Sequence, residues 1–312
     1  MLTFTSVGDV PADFGPSAVT IGKFDGVHTG HRAVIDQLRT EAASLSLVPT
    51  VVTFDRNPLA VLIPEKCPEY LQSPQQKLER LEAAGIGATL VIPFDRAFSQ
   101  KTHDEFAEAI LSRALNARLV LVGGDFRYGS KAAGTVDTLR AAGDRLGFEV
   151  KLIDDVALGE SGRRASSSWV REALRAGDVR LAAEVLGYEP SVRSTVVPGE
   201  RRGRELGFPT ANLRPVPEGM IPADGVYAGR LSVDGQTYPA AISVGNNPTF
   251  EGVPERQVEA YVLDQDFDLY GKRVEVAFTE RLRGMVAFDS VDDLVAQLQR
   301  DVAQTRVVLG SH

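Results

Sequence analysis

Two histidines lie three residues apart in a glycine-containing segment near the start of the chain. Residues 22–31 read GKFDGVHTGH and follow a short apolar run. Amide groups at the start of a helix attract phosphate, and glycine lets an anion approach the backbone. Positions three apart share a helix face, so His28 and His31 can both donate hydrogen bonds to phosphoryl oxygens. Because nucleotidyl transfer needs positioning and charge neutralisation more than a nucleophile, the segment predicts a site for attack on an α-phosphate.

Two further segments of the first half carry residue types that hold nucleotides. Residues 122–129 read VGGDFRYG at the end of a predicted strand, where Asp125 can hold ribose hydroxyls or can simply cap a glycine turn. Residues 165–171 read ASSSWVR at a predicted helix start, where serines cap the helix or face a phosphate. Capping alone would leave Arg171 unexplained, since that side chain can clamp a phosphate.

The second half contains a different set of oxygen ligands. Residues 203–213 read GRELGFPTANL, in which Thr210 and Asn212 are two residues apart and project to the same side of an extended chain. Hard oxygen ligands of this kind suit Mg²⁺ carrying ATP phosphates, although composition alone would fit an ordinary turn. Glu259 lies in an alternating apolar and polar run. It is either a surface glutamate of a strand or a general base for an alcohol.

The elements that position these residues follow from the periodicity of apolar residues. Five β-rich runs alternate with helical patterns, which predicts an α/β doubly wound parallel sheet. They are residues 18–21, 48–54, 88–92, 119–122 and 148–153. Four alternating runs follow residue 187, which predicts an antiparallel β-barrel or sheet. They are residues 225–233, 237–244, 257–263 and 273–281.

Two helices and the domain boundary complete this reading. Residues 102–105 form a predicted capping box, and a final helix from Ser290 carries an apolar stripe that we interpret as core packing against the barrel. The stripe is made of Val291, Leu294, Leu298 and Val302. We therefore expect a nucleotidyltransferase domain over residues 1–186 and a barrel domain with a terminal helix over residues 187–312.

Composition limits the partners. The formal charge of −8 disfavours nucleic acid and anionic membranes, because both attract clustered Lys and Arg. There is no secretion signal and no apolar run of about 18 residues. The single cysteine, Cys67, cannot form an internal disulfide. We expect a cytoplasmic protein with small-molecule substrates, and leave transient self-association open.

Together, these segments resemble the bifunctional riboflavin kinase/FAD synthetase family. The first three are similar to its motifs GxFDGxHxGH, VGxDFxFG and ISSTxIR, and residues 203–212 to its kinase signature GxxxGFPTAN. Further pieces follow in the family's order at residues 225–227, 243–250, 258–264 and 268–271. The resemblance implies that the C-terminal domain phosphorylates riboflavin to FMN and that the N-terminal domain adenylylates FMN to FAD.

The resemblance also implies roles for individual residues. In the adenylyltransferase domain, the ATP-binding residues would be Gly22, Phe24, His28, His31, Asp125, Ser167 and Arg171, with the two histidines also catalytic. In the kinase domain, Gly207, Thr210 and Asn212 would bind ATP, Thr210 and Asn212 would hold Mg²⁺, and Glu259 would be the catalytic base. The flavin-binding residues would be Asn57, Phe126, Arg281 and Arg283, and Phe250 and Phe288 could flank the flavin ring.

Two segments depart from the family pattern, and the milder change is Ser168 for the threonine of the third motif, which retains the hydroxyl. Where the family reads FDPHP, residues 54–58 read FDRNP. Asn57 can donate a hydrogen bond but cannot become cationic, and Arg56 is a candidate for the missing charge. The alternatives are a riboflavin kinase with weak or lost adenylyltransferase activity, a non-catalytic flavin-binding regulator, or a nucleotidyltransferase for a pantetheine or nicotinate nucleotide. The PTAN segment and Glu259 count against the last.

Overall fold

The protein is described by a computed structural model that covers residues 1–153, 157–158, 162–199, 206–245 and 256–310. The chain forms two compact units. The first consists of Met1–Glu69 and Pro74–Ala165, and the second of Tyr70–Ser73 and Ser166–His312.

The first unit is an α/β structure with a parallel sheet. Its sheet strands are β1 Leu2–Phe4, β2 Ser17–Ile21, β3 Val48–Phe54, β4 Ala88–Ile92, β5 Ala117–Gly123 and β6 Glu149–Ile153. Its helices are α1 Thr29–Ser44, α2 Leu59–Leu62, α3 Pro74–Ala83, α4 His103–Phe106 with a π-helical continuation Ala107–Ala114, and α5 Val136–Leu146. A two-stranded hairpin, β7 Ala157–Leu158 and β8 Arg163–Arg164, follows the sheet. Short 3₁₀ turns lie at Val7–Asp9, Pro64–Lys66, Phe98–Gln100 and Ser130–Ala132.

The strand order of the sheet is β1-β4-β3-β2-β5-β6, with every pair parallel. Apolar cores cover both faces, which explains why the central strands are almost continuously apolar. The order reverses between β2 and β5, and open α/β sheets bind ligands at the carboxyl ends of strands beside such a reversal. The histidine segment follows β2 and the Gly-Gly-Asp segment follows β5. The topology therefore places both predicted motifs at the expected ligand edge.

The second unit contains two helices, a barrel and a terminal helix. They are α6 Ser167–Ala176, α7 Val179–Leu186, β9 Ser191–Val197, β10 Thr210–Leu213, β11 Gly225–Val233, β12 Gln236–Gly245, β13 Gln257–Val262, β14 Arg273–Arg283 and α8 Val291–Leu309. The six strands close into an antiparallel barrel in the order β10-β13-β12-β11-β14-β9. At Gly229 a Cβ atom would lie 2.0 Å from the carbonyl oxygen of Ala277, so only glycine allows β11 to approach β14 this closely.

The predicted fold class is confirmed in both halves, while one interpretation needs correction. Thr102 forms the predicted capping box with Glu105, and Ser290 caps α8 by accepting from the amide of Asp293. The apolar stripe of α8 is not core, however. Leu294 is half-buried, Val291 is 61% exposed, and all four stripe residues border a cavity. The buried positions of this helix are Asp301 and Thr305. Helical periodicity shows which face is apolar, but not whether protein or ligand fills the space beside it.

The helices α6 and α7 belong to the same compact unit as the barrel. The domain boundary at residue 187 stays a prediction. Among the described residues, no helix is both long and apolar enough to span a membrane.

Candidate active sites

The two predicted histidines are brought together at the start of α1. His28 is the N-cap residue of this helix, and its Nδ1 accepts a hydrogen bond from the backbone amide of His31 at 3.4 Å. The two rings stack with centroids 3.7 Å apart and an angle of 24° between their planes. The pair thus forms a single imidazole stack at the ligand edge of the sheet.

Burial keeps both imidazoles neutral. Loss of hydration, followed by the positive charge of Arg164, lowers the pKa of His28 to about 4. The pKa of His31 is held well below its usual value by burial, and then by His28, Arg164 and Lys77. Because Nδ1 of His28 accepts a hydrogen bond, the neutral ring carries its proton on Nε2, which is free to act as a donor rather than as a cation.

Strained backbone positions support the stack. Phe24 and Val27 have φ angles of 50° and 37°, a region that bulky and β-branched residues rarely adopt. The buried ring of Phe24 lies 4.9 Å from the ring of His31, and a Cβ atom on Gly22 would come within 3.0 Å of Phe24. We predicted Gly22 and Phe24 as ATP-binding. In this structure the ring of Phe24 packs against the ring of His31, and Gly22 leaves room for Phe24.

The turn after β5 places Asp125 at the surface. Its carboxylate forms an ion pair with Arg164 of β8 at 3.0 Å. The ring of Phe126 is half-buried and stacks on Tyr128 with centroids 5.4 Å apart. Arg164, whose charge also acts on both histidines, is a candidate site residue that our sequence reasoning missed. The signal was present, because two arginines directly precede the serine segment.

Arg56 and Asn57, which depart from the family pattern, both contact residues close to them in the chain. Asn57 is buried, and its Oδ1 accepts a hydrogen bond from the amide of Leu59 at 3.1 Å, at the start of α2. Arg56 forms an ion pair with Asp55 at 2.8 Å. The positive charge of Arg56 is thus largely compensated by its neighbour, and the flavin-binding role of Asn57 stays a prediction.

The serine segment, apart from Ala165, belongs to the second compact unit. Ser166 caps α6 by accepting from the amide of Trp169 at 3.2 Å, which leaves the predicted role of Ser167 separate from capping. Ser167 and Arg171 are four residues apart and share a helix face, and Arg171 is 5% exposed. Their predicted contacts with phosphate stay predictions.

The predicted kinase residues converge on the barrel wall. Asn212 of β10 lies opposite Glu259 of β13 in the antiparallel register. The hydroxyl of Thr210 donates to Oε2 of Glu259 at 3.3 Å, and the side-chain amide of Asn212 donates to the carbonyl oxygen of Thr210 at 3.2 Å. A Cβ atom on Gly199 would clash with the side chain of Asn212 at 2.4 Å, so a glycine makes room for that amide. An alcohol, an amide and a carboxylate therefore meet at one place.

Two of these residues, Thr210 and Glu259, border a cavity of about 600 Å³, whereas Asn212 does not. Thr210, Ser243 and Glu259 form part of its wall, and apolar side chains of α8 and of the segment before α8 form much of the rest. A volume in this range and a mostly apolar lining with a few polar groups are typical of sites for drug-sized ligands. The cavity can therefore hold a flat, largely apolar ring system beside the carboxylate.

One of the two predicted flavin-binding arginines reaches this cavity. Arg283 borders it, pairs with the buried Asp301 at 2.7 Å and lies 5.9 Å from the centre of the Phe288 ring. Arg281 is instead hydrogen-bonded to the carbonyl oxygens of Asp224 and Ala176. The structure thus does not bring Arg281 to the cavity, because its guanidinium group is used to hold backbone segments together.

A smaller recess lies on another side of the PTAN segment. Its volume is about 60 Å³, and it is bordered by Thr210, Pro209 and by Phe267, Leu269 and Tyr270 of the segment after β13. Thr210 borders both spaces. Gly207 precedes them with a φ angle of 85° and is exposed. The predicted pieces at residues 203–205 and 246–250, including Phe250, lie outside the described residues.

Comparison with known proteins finds relatives along almost the whole chain. A family model described as FAD synthetase matches residues 10–168, and one described as riboflavin kinase matches residues 186–309. A bifunctional riboflavin kinase/FMN adenylyltransferase from Haemophilus influenzae is 35% identical over 295 residues, which covers 94% of this chain and 94% of that protein. The protein of the same description from Escherichia coli K12 is 35% identical over 293 residues, covering 94% and 92%.

A solved structure is similar over the whole fold. A crystal structure described as a macrolide-efflux protein from Streptococcus pneumoniae has a TM-score of 0.87 and 33% sequence identity, and 98% of each chain is covered. That description names another activity, whereas the two family models and the sequence relatives agree with each other. On their agreement, this chain belongs to the bifunctional riboflavin kinase/FMN adenylyltransferase family.

Proposed function

We propose that this chain makes FAD from riboflavin in two ATP-dependent steps, first phosphorylating riboflavin to FMN and then adenylylating FMN. The observation that carries the proposal is the meeting of Glu259 and Thr210 on the wall of a cavity of about 600 Å³, in a chain that also carries a buried histidine pair on a separate parallel sheet. Each arrangement suits one of the two reactions.

In the kinase step, the flavin ring occupies the apolar cavity and its ribityl 5′-hydroxyl reaches Glu259. The carboxylate accepts the hydroxyl proton as that oxygen forms a bond to the γ-phosphorus of ATP, and the bond to the bridging oxygen breaks to release ADP. Arg283 and Asp301 present a hydrogen-bonding pair at the cavity wall, which suits the polar edge of a flavin. A phosphate group of the nucleotide placed in the smaller recess would contact Thr210 as well, because this residue borders both spaces.

Mg²⁺ fits the donor set of this site. Since the amide nitrogen of Asn212 donates to Thr210, the amide oxygen is the atom of that side chain suited to a cation, and the hydroxyl of Thr210 is a second hard oxygen ligand. Thr210 and Asn212 would hold the ion, which neutralises phosphate charge when it is bound.

In the adenylylation step, a phosphate oxygen of FMN attacks the α-phosphorus of ATP. The bond to the bridging oxygen breaks and pyrophosphate leaves. Neutral His28 donates from Nε2 to a phosphoryl oxygen, and Arg164 adds positive charge beside the stack. Ser167 and Arg171 add the hydroxyl and guanidinium contacts that their motif suggests, and Asp125 contacts the nucleoside.

Chromatography of the flavin products tests the proposal. Purified protein is incubated with riboflavin, ATP and Mg²⁺, and we expect FMN to appear first and FAD to follow. FMN alone would favour a riboflavin kinase that has lost the adenylylation of FMN. That alternative is the specific one to test, because the ion pair with Asp55 compensates the charge of Arg56. Neither product, with riboflavin bound, would favour a flavin-binding regulator and overturn the proposal.

The proposal extends to the cellular compartment of the protein and to its binding partners. A single cysteine, Cys67, suits the reducing cytoplasm, and a net charge of −8 disfavours nucleic acid and anionic lipid as partners. Riboflavin, FMN and ATP are the expected partners. Transient self-association would show as a concentration-dependent sedimentation coefficient.

A further inference from the structure

A buried lysine lies beneath the histidine segment. Lys77 is on α3, is only 9% exposed, and is neither a predicted site residue nor part of the mechanism above. Its Nζ donates to the carbonyl oxygen of Phe54 at 2.8 Å, to the hydroxyl of Thr53 at 3.2 Å and to the carbonyl oxygen of Lys23 at 3.4 Å. An ammonium group has three donors, so all three are used within the protein.

These acceptors belong to two segments that lead into the site. The parallel pairing of β2 with β3 ends at Ile21 and Val52, followed by one hydrogen bond from the amide of Gly22 to the carbonyl of Val52 at 3.0 Å. Beyond this point, Lys23 continues into the histidine segment, and Phe54 continues into the segment that holds Asn57. Lys77 therefore links two strand ends where the ladder between them has stopped.

The hydroxyl of Thr53 strengthens this link. It donates to the carbonyl oxygen of Lys23 at 3.1 Å and accepts from Lys77 at 3.2 Å. A neutral amine would have two donors for three oxygen acceptors and would turn a lone pair toward one of them. The geometry therefore requires the charged form of Lys77.

We propose that Lys77 is a positioning residue of the adenylylation site, whose ammonium group fixes the histidine segment relative to the Asn57 segment. The inference rests on the proposed adenylylation of FMN. Lys77 does not touch substrate, because its three donors are occupied, and it acts through the backbone of both segments. A shift of about 1 Å in such a segment is enough to slow a reaction by roughly a hundredfold.

The charged groups around Lys77 support this role. Burial lowers its pKa to about 8, while the carboxylates of Asp25 and Asp55 oppose that shift. Arg56 pairs with Asp55, and the pKa of His31 is lowered first by burial and only last by Lys77, so this ring adds no charge. As pH rises through about 8, Lys77 loses its proton and one donor, and the link between the segments weakens.

The test compares Lys77→Met with Lys66→Met, which removes an exposed lysine from the same unit. We expect Lys77→Met to lower kcat/KM for adenylylation of FMN by roughly tenfold to a hundredfold. Riboflavin phosphorylation by the same preparation should stay within about twofold, as should both activities of Lys66→Met. Equal adenylylation by Lys77→Met and the wild type would overturn the inference.

A pH profile separates positioning by charge from simple structural support. We expect the rate of adenylylation by the wild type to fall as pH rises through about 8. Lys77→Met should not show this fall. Lys77→Arg, which stays charged, should keep its rate above that pH. If Lys77→Met fails to fold, the wild-type profile decides, and the absence of a limb near that pH overturns the inference. Wild-type protein that makes no FAD at any pH would instead contradict the proposed function.

Discussion

At the scale of single residues, burial and hydrogen bonding decide the chemistry of the histidine pair. His28 and His31 look like candidates for cationic phosphate ligands, but burial and the nearby charges keep them neutral. Their stack is held by an N-cap hydrogen bond and by Phe24. The site therefore offers oriented donors before the substrate arrives, which is the arrangement that electrostatic catalysis favours.

The lowered pKa of His28 predicts acid sensitivity of the first unit. The folded pKa of about 4 lies below the usual histidine value of 6.5, so the unfolded chain takes up a proton that the folded chain does not. The free energy of unfolding should therefore fall as pH decreases from 6.5 toward 4. The contribution of His28 is about 3 kcal/mol at most.

Hydrogen exchange of peptides from α1 at pH 7 and pH 4.5 measures this effect. The matched variant is His28→Asn, which keeps a capping side chain but does not titrate. Its loss of protection between the two pH values should be smaller than that of the wild type. Equal losses would show that His28 does not carry the acid sensitivity.

At the scale of elements, α8 forms one wall of the barrel cavity. Its apolar stripe borders the cavity, and its buried Asp301 pairs with Arg283 of β14. The first turn of α8 depends on the N-cap hydrogen bond of Ser290. The stability of this helix end is therefore linked to binding in the cavity.

Removal of the Ser290 cap should weaken riboflavin binding. An N-cap hydrogen bond contributes about 1 kcal/mol, so Ser290→Ala should raise the Kd for riboflavin up to about fivefold. Quenching of riboflavin fluorescence on titration measures the Kd. Thr102→Ala, which removes the N-cap of α4 in the other unit, is the control and should leave the Kd unchanged. Equal affinity of Ser290→Ala and the wild type would mean that the first turn does not shape the cavity.

The sequence predicted most elements to within a few residues and missed those that carry little pattern. The strands β3 and β4 have the predicted bounds, because buried β-branched runs between turns are distinctive. The short strand β1 and the hairpin of β7 and β8 have only two or three residues each, too few to show periodicity. The strand β9 was also missed, and β10 was predicted only as an extended segment at Thr210 and Asn212.

The candidate sites were predicted from motifs rather than from contacts. Thr210, Asn212 and Glu259 do converge, but the alternation of strands alone could not show that β10 pairs with β13. Lys77 was missed because a lysine on an amphipathic helix is ordinarily exposed. Arg281 lies only two residues from Arg283 on β14, but a bulge in the pairing of β11 with β14 shifts the register between these two positions. Alternation could not reveal this shift, and the flavin-binding role of Arg281 stays a prediction.

At the scale of the whole molecule, the chain carries two sets of predicted phosphate-binding residues on two kinds of sheet. The histidine pair lies at the expected ligand edge of a parallel sheet, and Glu259 lies on an antiparallel barrel. Mutations of sites that share no partner usually act independently. The two activities should therefore be separable by single substitutions.

Glu259→Gln and His28→Ala provide this test. Glu259→Gln removes the base and should reduce FMN formation by about a hundredfold or more, while FAD formation from added FMN is retained. His28→Ala should stop the two-step reaction at FMN, because FMN is no longer adenylylated. Rates of both steps are measured by chromatography with each intermediate supplied. Parallel loss of both activities in either variant, with an intact circular dichroism spectrum, would contradict the separation.

The shared border at Thr210 has a practical consequence for ligand discovery. Thr210 borders both the large apolar cavity and the small recess that Tyr270 also borders, so the two spaces meet at one residue. A synthetic compound that tethers a flavin-like ring to a nucleoside over that short span would engage both spaces at once, and its second contact would form at a high effective concentration. Such bisubstrate molecules should bind far more tightly than either fragment, and Thr210→Val should selectively weaken them.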